Sequence, residues 1–306
     1  MKSTKKHTFR LNDGCPCGSG KTISECGHLD QGKFRIPIPS LRPPGAPTGF
    51  GHPRCYLQST LNCSEKISSE HYLSRSILEQ LGSGAISVLG MPWLPQGKIL
   101  TTSINSLTAN ILCTRHNACL SPLDNEAGRY FSELRSALID LERKTISRKR
   151  HFHLVSGEAL ELWMLKVACG LYYSVGGKDG EKISKNYMIS IDKVQQAFFE
   201  RQWDERAGLY LQAHTGSKVV LQENVGMIPL TSDAERRFCG ATVSLLGFSH
   251  DLLFDTVGAR TGPWTALTKR PSELFLTNRG LQHSIILTWP PGIPEASVRL
   301  QRGVKP

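Results

Sequence analysis

Three cysteines and one histidine recur as a set twice in this chain. The first set is Cys15-x-Cys17, eight intervening residues, then Cys26-x-His28. The second is Cys55 and Cys63, followed much later by Cys113-x-x-His116. Three thiolates and one imidazole are a donor set for tetrahedral zinc, which takes four soft or borderline ligands. In the first set, two tight pairs joined by a short loop can fold around one ion without a core. Metal binding then supplies most of the folding free energy that so short a segment lacks. In the second set, two pairs far apart in sequence would staple an early hairpin to a later helix, with Cys119 as a competing ligand. Cys169 and Cys239 stand alone in MLKVACGLYY and RRFCGATVSLL and read as small buried hydrophobes. The dipeptide Glu70-His71 lies between the halves of the second set, and Asn117 follows its histidine at once.

These side chains must be held by a folded scaffold, and the composition supplies one. The chain has 306 residues, of which 39% are hydrophobic and 21% charged, ordinary values for a globular protein. That excludes wholesale disorder. No apolar run approaches the ~18 residues of a membrane span. The charged N-terminus, MKSTKKHTFRLNDG, has no apolar segment behind it, so no secretory signal is expected and the reducing cytoplasm is the expected compartment. An odd count of nine cysteines argues against a disulfide framework. The surplus of 37 Lys and Arg over 26 Asp and Glu, a net +11, favours a polyanionic partner such as nucleic acid, with a diffusely basic surface as the alternative.

The predicted fold class is α+β, in four parts. Residues 1–30 form a small zinc knuckle. Residues 31–51, rich in Pro and Gly, read as an extended linker. Residues 52–150 hold the second ligand set and end in an amphipathic helix with Leu134, Leu138 and Leu141 on one face, followed by the basic run 144–150. Residues 151–306 begin with the apolar helix GEALELWMLKVACGLYY and a second helix around DKVQQAFFERQW. Short β-rich runs follow (GLYLQA, KVVLQE, CGATVSLLGF, ELFLTN, HSIILTW), predicting an antiparallel sheet or small sandwich. The tail VRLQRGVKP reads as poorly ordered. Trp163, Trp203, Trp264 and Trp289 read as core aromatics, and His151, His153, His214, His250 and His283 as scattered. The run GSGKT, residues 18–22, imitates the end of a phosphate-binding loop, but Cys15 occupies the position of its first glycine and no strand precedes it.

The first cluster, beginning C-P-C-G-S-G-K, resembles the SEC-C motif over about 15 residues, with Gly27 inserted where that family has its last two ligands adjacent. The resemblance implies zinc held by Cys15, Cys17, Cys26 and His28, and recruitment of a protein partner. The segment from Cys55 to Arg129 resembles the HNH endonucleases, whose core is a ββα unit around a metal. The matching marks are the paired-cysteine entry, the acidic-His dipeptide, and the apolar run into Cys113-x-x-His116-Asn117. That resemblance implies His71 as general base, Glu70 and Asn117 at catalytic-metal positions, and a structural zinc on Cys55, Cys63, Cys113 and His116. Thr108 stands where the central Asn is usual, leaving Asn110 or Asn105 to orient His71. Asp124, seven residues after Asn117, is a further metal ligand, a positioner of Arg129 or a helix cap.

Phosphodiester hydrolysis needs a water deprotonated near neutral pH, work suited to a neutral imidazole. It also needs a hard divalent cation on oxygen ligands, Mg²⁺ or Mn²⁺. The expectation is a metal-dependent HNH endonuclease acting on DNA, with two structural zinc ions and recruitment of a protein partner through the SEC-C-like module, in a bacterial or phage defence setting. The alternative is a zinc-stabilised nucleic-acid-binding or adaptor protein without catalysis.

Overall fold

The computed structural model describes residues 8–30, 32–82, 84–89, 94–95, 97–142, 149–173, 182–256 and 267–303. The first elements are α1 (Ile23–Cys26), β1 (Leu29–Asp30), β2 (Lys33–Phe34), β3 (Ile67–His71), α2 (Arg75–Leu81), β4 (Ala85–Leu89) and β5 (Ile99–Ser103). Next come β6 (Thr108–Cys113), α3 (Thr114–Asp140), β7 (Arg150–Ser156), α4 (Gly157–Tyr173), α5 (Ile183–Asn186) and α6 (Ile191–Gln195). The rest is β8 (Gly208–Leu211), β9 (Lys218–Val219), β10 (Asn224–Ser232), β11 (Arg237–Leu245), β12 (Phe248–Leu253), β13 (Thr268–Lys269), β14 (Glu273–Asn278), β15 (Leu281–Thr288) and β16 (Ser297–Arg302).

A helix apolar on every side has no solvent face and must be wrapped. α4 is such a helix, and it packs against α3, strands β8, β10, β11 and β12 of one sheet, and β15 of another. Gly170 makes the approach possible, because a Cβ there would lie 2.7 Å from the Tyr72 Cβ just past β3. α3 turns Leu120, Leu123, Ala127, Phe131, Leu134 and Leu138 inward at three- and four-residue spacing. Pro122 inside α3 cannot donate to the Ala118 carbonyl, and the Ser121 hydroxyl donates to it instead at 2.9 Å.

The C-terminal strands, expected in an antiparallel sheet or small sandwich, form sheets of mixed pairing. They divide between a seven-stranded sheet, order β13-β8-β12-β11-β10-β4-β5, and a five-stranded sheet, order β7-β15-β14-β16-β9. β10 pairs with β4 in parallel, as do β15 with β7, β14 with β16 and β16 with β9. Alternation along a strand is the same in both pairing directions, so periodicity finds strands without fixing their sense. The tail is corrected too: residues 297–302 form β16, with Val298 and Leu300 buried between exposed neighbours. Through β4 and β5 the middle segment completes the edge of the large sheet, and one hydrophobic core runs from Leu41 to Leu300. Residues 52–150 and 151–306 therefore share a core.

Of the expected linker, residues 32–51 are described, and they are pinned. Ile36 N–H donates to Thr288 Oγ1, Leu41 is buried, and Arg115 Nη2 donates to the carbonyls of Pro44 and Ala46. Trp163 is fully buried, Trp203 and Trp289 pack partly buried against the core, and Trp264 lies outside the described residues, as does most of the basic run 144–150. No helix among the described residues is long and apolar enough to cross a membrane.

Candidate metal centres and the acidic-histidine strand

β3 and β6 pair antiparallel, and α3 follows β6 without a break, so a ββα unit carries the second cluster. Cys113 ends β6 and caps α3, its sulfur accepting the His116 N–H. Register places Ile67 opposite Cys113, which brings the preceding Cys63 loop alongside. The sulfurs of Cys55, Cys63 and Cys113 lie 3.5, 3.6 and 3.2 Å from His116 Nδ1. A tetrahedral zinc with ordinary bond lengths gives S···N edges of roughly 3.6 Å, so the four donors already outline the polyhedron. All four residues are buried.

The second cluster also fixes its own tautomer. Thr60 Oγ1 donates to the Leu57 carbonyl at 2.7 Å and lies 3.1 Å from His116 Nε2. With its proton committed, the hydroxyl oxygen accepts Nε2–H, which leaves the Nδ1 lone pair facing the sulfurs. Burial, then Arg115, pushes the His116 pKa down to about 4, so the ring is neutral at pH 7. Burial pushes the Cys113 thiol up, but N–H groups of His116 and Ser64 donating to its sulfur bring it below the ordinary value. Cys119 is not part of this set; its thiol donates to the His116 carbonyl.

The first cluster is built within one short loop. Cys15, Cys17, Cys26 and His28 each place a ligand atom within 4.8 Å of the others. Cys17 and Cys26 sulfurs are 3.6 Å apart, against an S···S edge of about 3.8 Å around tetrahedral zinc. α1 is held by a capping box in which Thr22 and Glu25 satisfy each other's backbone N–H. Gly27 closes it in the left-handed conformation, φ 65°, and so turns the chain to bring His28 back to the cysteines. The inserted glycine is thus part of the chelating loop. The module docks on β7 and α3: Leu154 N–H donates to the Pro16 carbonyl at 2.7 Å and Arg129 Nη1 to the Cys17 carbonyl at 3.2 Å.

Glu70, Asn117 and Asp124 come together, but a lysine lies among them. Lys166 Nζ, from the middle of α4, is 2.5 Å from Glu70 Oε1 and 2.5 Å from Asp124 Oδ2. Asn117 hydrogen-bonds Glu70, and Ser74 Oγ donates to Asp124 Oδ1 at 2.5 Å while accepting from Trp163 Nε1 at 2.8 Å. Burial pushes Glu70 above the usual carboxylate range, against the pull of Lys166 and Asn117. Burial works against the charge on Lys166, but Asp124 and Glu70 outweigh it and hold the ammonium. The oxygens assigned to Mg²⁺ or Mn²⁺ therefore already surround a cation and do not fit a second one. Asp124 sits inside α3 and is not a helix cap.

His71 ends β3, half-buried, and its Nε2 is buried without a hydrogen-bond partner among the described residues. Burial, then Arg75, holds its pKa below the ordinary value, so the ring is neutral at pH 7. Asn110 does not orient it. In the amide orientation that satisfies both ends, Asn110 donates to the Ser68 carbonyl at 3.2 Å and accepts from Arg54 at 3.3 Å. Asn105 is exposed in a helical turn, its carbonyl accepting from Thr108. Sequence reasoning missed Lys166 and Thr60. The signal for Lys166 was present: the lone cation of a largely apolar helical stretch must find a buried anion. Thr60 carried no such signal. No protein family, curated protein or solved structure matches the chain.

Proposed function

We propose that the chain is a nucleic-acid-binding protein built on a zinc-stapled ββα unit of HNH type, in which Lys166 stands where a nuclease would hold its catalytic cation. The observation that carries this reading is the ammonium at 2.5 Å from both carboxylates. A buried ion pair of this kind is costly to open, about 3–5 kcal/mol when one partner is removed. The net charge of +11 supports a polyanionic partner. A second reading, a metal-dependent HNH endonuclease acting on DNA, is favoured by His71, whose neutral imidazole keeps an unpartnered nitrogen at the end of β3. That reading requires Lys166 to leave the carboxylates.

Duplex binding and plasmid nicking separate the two. The expected result is salt-sensitive binding of duplex DNA with no nicking in Mg²⁺ or Mn²⁺ beyond that of His71→Ala. Nicking by the wild type that disappears in His71→Ala and in EDTA establishes the endonuclease instead. Absence of DNA binding at low salt overturns both.

A further inference from the structure

His151, His153 and His283 have no common ligand spacing in the sequence, yet the fold stacks them. β7 and β15 pair in parallel with His283 opposite His151, and alternation along β7 puts His153 on the same face. The rings of His151 and His283 stack with centroids 4.8 Å apart, and those of His153 and His283 at 5.4 Å. The C-terminal half of α3 lays Glu133 and Asp140 against them. A continuous line of contacts results: Glu133 Oε2 to His153 Nδ1 at 2.6 Å, His153 Nε2 to His283 Nδ1 at 3.1 Å, and His283 Nε2 to Asp140 Oδ2 at 3.1 Å.

Proton counting exposes what this line needs. It has three gaps, each between two atoms that carry lone pairs, and two neutral imidazoles bring only two N–H protons. The third gap takes either a third proton, which makes one ring an imidazolium or one carboxylate a carboxylic acid, or a metal cation. His283 is 4% exposed, so a charged ring there is disfavoured by desolvation. The gap between His283 and Asp140 borders a cavity of about 480 Å³, and the exposed His151 stands beside it. Asp140, His151 and His283 each bring one ligand atom within 4.8 Å of the others.

We propose that Asp140, His151 and His283 bind a divalent first-row transition metal. Two imidazoles and one carboxylate suit such an ion and leave coordination positions open. With metal on His283 Nε2, its Nδ1–H donates to His153 Nε2, and His153 Nδ1–H donates to Glu133. Every gap is then filled with both rings neutral, and a carboxylate–histidine pair backs the ligand. Arg135 lines the same cavity, and its buried Nε has no hydrogen-bond partner among the described residues.

The test is a titration of the full chain, zinc-loaded at both cysteine clusters, with Co²⁺ alone. One further equivalent is expected, with ligand-field absorption but no thiolate-to-cobalt charge transfer. Affinity should fall at least tenfold in His283→Ala and in His151→Ala. The second variant is decisive because His151 is exposed and its loss spares the core. Wild-type affinity in His151→Ala, or thiolate charge transfer accompanying all bound cobalt, overturns the proposal.

Discussion

The two Cys₃His clusters have the same donors and opposite dependence on the rest of the fold. The first gathers its ligands from Cys15 to His28, within one loop closed by Gly27. The second gathers them from Cys55 to His116, from two loops and the start of α3, and buries all four. A local chelate stabilises mainly itself. A chelate that joins distant segments stabilises whatever lies between them, here β3, α2, β4, β5 and β6. The same chemistry is therefore a module anchor in one place and a keystone in the other.

The largest effect should come from cutting the keystone. Cys113→Ser is expected to lose one zinc and lower the melting temperature by more than about 10 °C. Cys26→Ser should also lose one zinc but move the melting temperature by less than about 3 °C, with rapid hydrogen exchange confined to residues 8–30. Metal analysis and calorimetry check both, and equal losses of stability would erase the distinction.

Acid offers a second comparison, provided a proton-linked core group is separated from metal loss. His250 is buried, contacts the Tyr130 hydroxyl at 2.9 Å, and is pushed by burial down to a pKa of about 4. The unfolded chain takes up the proton first, near pH 6.5. The stabilisation is therefore complete above about pH 6.5 and is lost as pH falls toward about 4, up to roughly 3 kcal/mol. His250→Gln should flatten this part of the pH profile, and the acid sensitivity that remains then reports zinc release. A variant profile parallel to wild type removes His250 from the account.

The smallest effects test the supports of each cluster. Thr60→Val removes the acceptor for His116 Nε2–H and should weaken zinc at the second cluster about 10- to 100-fold. Thr22→Ala breaks the capping box of α1 and should cost about 1 kcal/mol, felt only at the first cluster. Competition with a chelator reads both, and an effect of either variant on the other cluster would show that the two are coupled.

Much of the candidate site was legible because its signals are local. Cys15 to His28 lies within one loop, and Cys113-x-x-His116-Asn117 within one turn of helix. α4 occupies the residues its apolar run predicts. The strands after Gly208 were found, but their division between two mixed sheets was not, because side-chain alternation carries no pairing direction. The VRLQR segment alternates as a strand does, and its place at the chain's end obscured that pattern.

By itself the sequence determined donor types and the spacings that a short loop or one helical turn can close. It could not determine which residue from another element would arrive at a site. Lys166 reaches Glu70 and Asp124 only because α4 packs against α3 and approaches β3 at Gly170. His283 reaches His151 only through the parallel pairing of β15 with β7. Both arrivals depend on long-range packing and pairing, set by the burial of whole elements rather than by the residues that meet. A cation among carboxylates and a line of histidines are thus consequences of tertiary structure, while the cysteines that could hold a metal ion were already written in the chain.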